Sequence, residues 1–350
     1  MINKSVRPIL SVCVPTYNRA VLLDKLLGQI FEFDSNVKSK IEVCISDNNS
    51  SDETSEVISS WGHHVAIKSV RQRTNIGASR NFQAVAGLSS APWVILMGDD
   101  DLFCNEGIKS LLELLTITKS NTWVLADIAN QDGTSLLQNF SGGVWSQGKF
   151  KRHILLDSLL DSLGFMSMHV IPRRSIEKFI TLGIDEIYGW PHLALLFSEI
   201  SDVEINVQRT SIVKRGGDGE EITQTWRSND WLCLMMQKVK LCSRPEVGGK
   251  VFSTSMALRE YVRWVYLRQT FHAMLNSEVG SRLYLQASEY INATKIHVVA
   301  KKLLMIYVWL LLLVPVGLIS KLRKLKNPNA AELKKEDSGL VITDGMDRGL

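Results

Sequence analysis

Asp99, Asp100 and Asp101 follow Gly98 directly at the end of the apolar run Trp93-Val94-Ile95-Leu96-Met97. Three neighbouring carboxylates resist joint ionisation unless a cation lies among them. Their oxygen chemistry suits a hard divalent ion, Mg²⁺ or Mn²⁺, whose other side is commonly occupied by phosphate. Asp and Gly are also ordinary residues for a strand-to-loop turn, so the cluster gains meaning from its companions. Two further polar turns leave apolar runs upstream: Pro15-Thr16-Tyr17-Asn18-Arg19, and Asp47-Asn48-Asn49-Ser50-Ser51-Asp52. Asp52 and Glu53 suit the first turn of a helix, where carboxylates meet the positive end of the dipole, and that is sufficient to explain them.

The elements that must position these turns follow from hydrophobic period. Ile9 to Val14, Ile41 to Ser46, Val65 to Val70, Trp93 to Met97 and Trp123 to Ala126 read as short strands; Leu22 to Phe31, Asp52 to Trp61, Ser79 to Leu88 and Glu106 to Leu115 read as helices. Such a β-α-β-α series predicts an α/β, Rossmann-like, mostly parallel sheet with helices on both faces. In these sheets ligands bind beyond the C-terminal strand ends, so the three turns are expected to converge there. Two later strands, Val203 to Val207 and Thr210 to Val213, lead into the basic, glycine-rich Val213-Lys214-Arg215-Gly216-Gly217-Asp218-Gly219. That segment reads either as an ordinary loop or as a lid in which Lys214 or Arg215 meets a diphosphate. From Trp226 onward the pattern turns helical.

Composition narrows the class. With 350 residues, 45% of them hydrophobic, and a net charge of +4, the chain has a globular core and no nucleic-acid-binding signature. Five cysteines without a CxxC pair predict reduced, packed thiols. The apolar stretch Ile9 to Val14 is too short for a signal-peptide core, so the folded part is expected in a reducing cytoplasm. Leu303 to Ile319 carries no charge over 17 residues and lies between Lys301-Lys302 and Lys321, Arg323, Lys324 and Lys326. At about 1.5 Å per residue it falls slightly short of a bilayer core of about 30 Å, so a shallow helix at an anionic membrane surface competes with a span, and a buried core helix with both. Beyond Asn327 the polar tail is expected to be disordered.

Val14-Pro15-Thr16-Tyr17-Asn18-Arg19, Ile45-Ser46-Asp47-Asn48-Asn49-Ser50-Ser51-Asp52, Asn75-Ile76-Gly77-Ala78-Ser79-Arg80-Asn81 and Gly98-Asp99-Asp100-Asp101 occur in this order. Together they resemble the family 2 glycosyltransferases of the GT-A fold, most closely those of bacterial O-antigen and capsule synthesis, including rhamnosyl- and abequosyltransferases. The resemblance is strong over residues 8 to 127 and thins out to about residue 215. It implies that Pro15, Thr16, Tyr17 and Asn18 line a nucleotide pocket and that Asp47 accepts a hydrogen bond from base or ribose. Asn75 and Arg80 would lie near the diphosphate, with Gly77 permitting close approach. Asp99 and Asp100 would belong to the donor site, and Asp101, with Asp99, would hold Mn²⁺ or Mg²⁺ as the last acid of a DxD signature.

The resemblance also implies a general base, usually an Asp at a helix start well after the metal motif. Here that region reads Ile184-Asp185-Glu186-Ile187-Tyr188-Gly189-Trp190-Pro191-His192. Asp185 and Glu186 keep the carboxylate chemistry, whereas His192 occupies the location, just after a Pro at a helix start. Trp190 either stacks on an acceptor sugar or packs beneath the loop. The expected organisation is a nucleotide-sugar-binding half over 1–127, an acceptor half over 128–225, a helical extension over 226–300, a hydrophobic and basic membrane-associating segment over 301–326, and a tail over 327–350. The expected function is transfer of a sugar from a nucleoside-diphosphate donor to a lipid-linked oligosaccharide, at the cytoplasmic face of a bacterial inner membrane. A non-catalytic sugar-nucleotide-binding subunit is the alternative from another class. A nucleotidyltransferase is disfavoured because Pro15-Thr16-Tyr17-Asn18 is not a basic, glycine-rich loop.

Overall fold

Strands β1 (Leu10–Thr16), β2 (Ile41–Asp47) and β4 (Trp93–Leu96) are buried along their whole lengths, and the alternation of their side chains explains how. Val12, Val14, Val43, Ile45, Trp93 and Ile95 turn to one face, where they meet helices α1 (Ala20–Glu32) and α5 (Asn105–Ile117). Cys13, Cys44, Val94 and Leu96 turn to the other, where α4 (Ala78–Gly87), α6 (Arg173–Thr181) and α7 (Pro191–Glu199) close a second core. A strand covered on both faces reads as a near-continuous apolar run, as β4 does throughout; in β1 and β2 the run is interrupted by the buried polar residues Ser11, Glu42 and Ser46.

The computed structural model describes residues 7–63, 66–131, 133–137, 143–145, 163–181, 190–199, 202–216 and 298–312. The chain divides into two compact units, one of Met1–Arg227 with Leu234–Val262, the other of Ser228–Cys233 with Arg263–Leu350. Within the first unit the remaining elements are β3 (Ile67–Arg71), β5 (Leu102–Phe103), β6 (Thr122–Ala129), β7 (Gly143–Trp145), β8 (His169–Pro172) and β9 (Glu204–Lys214), with helices α2 (Ser35–Lys38) and α3 (Thr54–Trp61). The sheet runs β3-β2-β1-β4-β8-β6-β9-β5, and β7 pairs with β9.

The expected mostly parallel sheet is corrected to a mixed one. Strands β3, β2, β1 and β4 are parallel to one another, but β8 enters antiparallel between β4 and β6, and β5 and β7 pair antiparallel with β9. The two strands expected over 203–213 are one, β9, whose pairing with β6 shifts register on either side of Asp127. Gln208 pairs with Ala126 and Ser211 with Asp127, so Arg209 and Thr210 are the extra residues of a bulge where two strands were expected. Described residues of the second unit form helix α8 (Val298–Leu312), in which Leu304 and Val308 are buried while Leu303, Ile306 and Leu310 are exposed. The rest of the 303–319 run and the tail lie outside the described residues. No helix of the described residues is long and apolar enough to cross a membrane.

At the end of the sheet opposite the three turns, Glu42 is a buried junction. It accepts hydrogen bonds from Ser11 Oγ (2.5 Å), Lys68 Nζ (2.8 Å), and the backbone N–H groups of Ser90 (2.5 Å) and Ala91 (3.0 Å). Burial acts to raise its carboxyl, but the bonds from Lys68, Ser11 and Ser90 outweigh it and hold the group at about 2. The folded form therefore binds the proton less tightly than the unfolded one. This stabilisation is present above about pH 4.5 and is lost as pH falls toward 2. Glu42→Ala, which removes the acceptor shared by Ser11, Lys68, Ser90 and Ala91, is expected to cost about 2 kcal/mol in denaturant unfolding at pH 7 and to flatten the acid limb of the stability profile. An unchanged acid limb would remove Glu42 from this role.

Among the described cysteines, Cys13, Cys44 and Cys104 are free, and Cys13 and Cys44 face each other in register across β1 and β2. Burial pushes the Cys13 thiol well up, which keeps it inert.

Candidate functional site

The chain order places β1 between β2 and β4, so the order in which strands are added reverses at β1, and a crevice opens beyond the C-terminal ends of β1 and β4. The turn after β4 lies against the turn after β1. Thr16 Oγ1 donates to Asp99 Oδ2 at 2.9 Å, and Arg19 Nη1 donates to Asp99 Oδ1 at 2.8 Å while lying 3.6 Å from Asp100 Oδ2. The turn after β2 joins from the other side. Asn18, at φ +52°, receives the Ser51 N–H on its Oδ1 at 2.7 Å, and its own N–H donates to Ser50 Oγ at 2.9 Å. Asp52 caps twice: its Oδ2 accepts from Ala20 N at the start of α1, and its Oδ1 accepts from Thr54 at the start of α3. The capping expected of Asp52 thus extends to a second helix.

Asp47 is buried at the end of β2. Its Oδ1 accepts the Ser50 N–H at 2.9 Å, whereas Oδ2 is 3.6 Å from Arg71 Nε and has no hydrogen-bond partner. A buried carboxylate oxygen in this state is poised for a donor from outside the protein. Asn75 and Asn48 bond through their side chains at 2.9 Å, and Asn48 Oδ1 also accepts from Ile76 N. Gly77 caps α4 at φ +81° with open space around its Cα, so its glycine serves the left-handed backbone rather than a close approach. Arg80 is exposed on the first turn of α4. Asn81, buried, ties the strand ends together through Ser46 Oγ (2.6 Å) and the carbonyls of Ser46 (3.0 Å) and Thr16 (3.4 Å). Pro15 is buried, and Tyr17 is exposed at the rim.

Asp101 is held from the far half of the unit. Ser167 Oγ donates to its Oδ2 at 2.5 Å, and the Gly216 N–H donates to its Oδ1 at 2.9 Å. Burial pushes both Asp99 and Asp101 up to about 6, opposed at Asp99 chiefly by Arg19 and reinforced at Asp101 by the Asp100 charge. A Cβ built on Gly98 would lie 2.8 Å from Asp100 Oδ1 and 3.0 Å from Asp101 Oδ2, so these two carboxylates border the space that the missing side chain leaves. Among the described residues no three His, Cys, Asp or Glu side chains gather into a metal cage. Two converging carboxylates nevertheless fit a Mg²⁺- or Mn²⁺-type ion, which completes its shell with phosphate and water.

The segment after β9 reaches this turn. Lys214 pairs with Leu102 of β5, Arg215 N–H donates to Ala129 O at 2.8 Å, and the Arg215 guanidinium stands 5.0 Å over the Phe165 ring. Residues 217–219 lie outside the described residues, as do Asp185 and Glu186. His192 is buried, its Nε2 is 3.2 Å from Leu163 O and its Nδ1 is also inaccessible. Its ring packs edge-on against His169 and Trp190, and Trp190 is half-buried against the core.

Arg19 and Gly216 lie in segments that the sequence marks, the turn after β1 and the glycine-rich stretch after β9, but nothing local ties either of them to the acids. Ser167 carries no local signal.

The mixed sheet and its converging turns define a GT-A-like fold, and the structure of S. aureus TarS 1–349 in complex with UDP-GlcNAc is similar, with a TM-score of 0.61 and 17% identity over 92% of this chain and 91% of that one. Residues 11–179 match the glycosyl transferase family 2 model. Over 105 residues it is 34% identical to the abequosyltransferase RfbV of Salmonella typhimurium, covering 29% of this chain and 31% of that protein. Over 108 residues it is 32% identical to a GalNAc(5)-diNAcBac-PP-undecaprenol beta-1,3-glucosyltransferase of Campylobacter jejuni, covering 30% and 34%. The matched stretch spans about a third of the length of each of these relatives.

Proposed function

We propose that this protein transfers a sugar from a nucleoside-diphosphate donor to a lipid-linked saccharide in bacterial surface-glycan assembly. The observation that carries the reading is the joining of the buried acidic turn to the turn after β1, through Thr16 and Arg19, in the crevice of the sheet. Asp47 Oδ2 is offered to the base or ribose, Tyr17 flanks the nucleoside, and Arg19, Arg80 and Lys214 supply positive charge around a diphosphate. Asp101, with Asp100 beside Gly98 and Asp99 behind it, would hold Mn²⁺ or Mg²⁺. When bound, such an ion neutralises charge that develops on the departing diphosphate.

The protein's own residues orient the donor and leave the acceptor to approach from the second half. The proton of the acceptor hydroxyl would pass to Asp185, Glu186 or His192. The carboxylates are favoured, because both ring nitrogens of His192 are inaccessible and one faces a backbone carbonyl. Trp190 would serve as packing under that region rather than as a sugar platform. The lipid-linked acceptor is supported by the name of the Campylobacter relative. Association with the cytoplasmic face of a membrane is supported by the exposed apolar Leu303, Ile306 and Leu310 of α8 and the lysines preceding them.

A thermal-stability screen of the full chain in detergent against UDP-, GDP-, CDP- and dTDP-sugars, with Mn²⁺ or with EDTA, tests the donor site. One nucleotide class is expected to stabilise by about 2.7 kcal/mol at a hundredfold excess over its Kd, and to lose most of that in EDTA. Stabilisation by none would overturn the reading.

A further inference from the structure

Ser167 lies on a 3-10 turn, Met166–Met168, that is distant in sequence from the acidic motif yet touches it twice: its Oγ accepts the Gly98 N–H at 3.1 Å and donates to Asp101 Oδ2 at 2.5 Å. The turn itself is anchored from behind. Trp123 Nε1–H donates to His169 Nδ1 at 3.3 Å, so the ring proton of His169 sits on Nε2 and is given to Leu163 O at 2.8 Å. The Nε2 of His192 meets the same carbonyl at 3.2 Å, and a carbonyl has two lone pairs with which to accept both. Burial lowers His169 to about 4 and keeps it neutral. In front, the Phe165 ring of the same segment carries the Arg215 guanidinium, next to the Gly216 N–H that binds the other oxygen of Asp101.

We propose that Ser167 is the positioning residue for Asp101, mounted on a strut whose base is the Leu163 carbonyl clasped by His169 and His192. The hydroxyl fixes the rotation of the carboxylate over Gly98, so that its free lone pairs face the space shared with Asp100. Without it, Asp101 keeps one tether, the Gly216 N–H, and turns about it. This assigns His192 a supporting place in the site independent of any proton transfer. The assignment rests on the donor-site reading above.

The test uses the full chain and Mn²⁺ as probe, titrated by loss of the free-ion electron paramagnetic resonance signal in the presence of UDP, GDP, CDP or dTDP in turn. Ser167→Ala is expected to weaken Mn²⁺ about tenfold or more, as loss of a group that orients a metal ligand does. Nucleotide affinity in EDTA and the circular dichroism spectrum should stay unchanged. Ser167→Thr, which keeps the hydroxyl, is expected to recover most of the affinity. Equal Mn²⁺ affinity in wild type and a folded Ser167→Ala overturns the assignment and leaves the donor site standing. Absence of metal-assisted nucleotide binding in the wild type removes the donor-site reading and this assignment with it.

Discussion

Asp101→Asn is expected to lower sugar transfer by about a thousandfold while leaving the protein folded. The amide keeps the shape of the carboxylate and can still accept the Gly216 N–H through its oxygen, so the fold has little to lose. What disappears is the negative charge bordering Gly98. Asp100 alone then faces that space, and its charge is partly answered by Arg19 at 3.6 Å. The measurement is transfer of labelled sugar together with Mn²⁺-dependent thermal stabilisation by the nucleotide. Both should fall together. Transfer within tenfold of wild type would show that Asp101 is not part of the machinery.

The second large effect is expected at Gly216. A Cβ there would lie 1.9 Å from Asp100 O and 2.4 Å from Asp100 C, backbone atoms with no side chain to swing aside. Gly216→Ala must therefore lift the segment after β9 from the acidic turn and withdraw the N–H from Asp101. A displacement of about 1 Å in such a position is expected to cost about a hundredfold in kcat/KM. Stability should change little, because the segment leaves β9 at its end. Wild-type turnover of Gly216→Ala would mean that the contact between the segment and the acidic turn is dispensable.

The parts of this molecule that could be read from the chain are those in which each residue answers to near neighbours. Runs such as Leu10–Thr16 and Trp93–Leu96 carry their burial on both faces in their composition, and turn residues after them carry their own backbone preferences. Asp99 and Asp101 could be named because acids at a strand exit are conspicuous. The second half was less legible. β8 pairs antiparallel between β4 and β6, and nothing in His169–Pro172 distinguishes that neighbour from any other. Ser167 is an ordinary serine until the fold brings it 2.5 Å from a carboxylate 66 positions away in sequence. His192 stood at the helix start that its motif suggested, but burial against His169 and Trp190 is a property of packing, not of spacing.

The pairing of Leu102 with Lys214 has a bearing on how the molecule comes to be. Joining β5 to β9 closes a chain segment of about 110 residues, and such closures are entropically costly until other contacts compensate. The β1–β2 and β2–β3 pairings close only about 31 and 24 residues, and β1–β4 about 83, so all three are free to form earlier. On a ribosome, the turns after β1, β2 and β4 would be in place before Gly216, which gives Asp101 its second tether, has left the exit tunnel, so the acidic turn is the last part of the crevice to be completed.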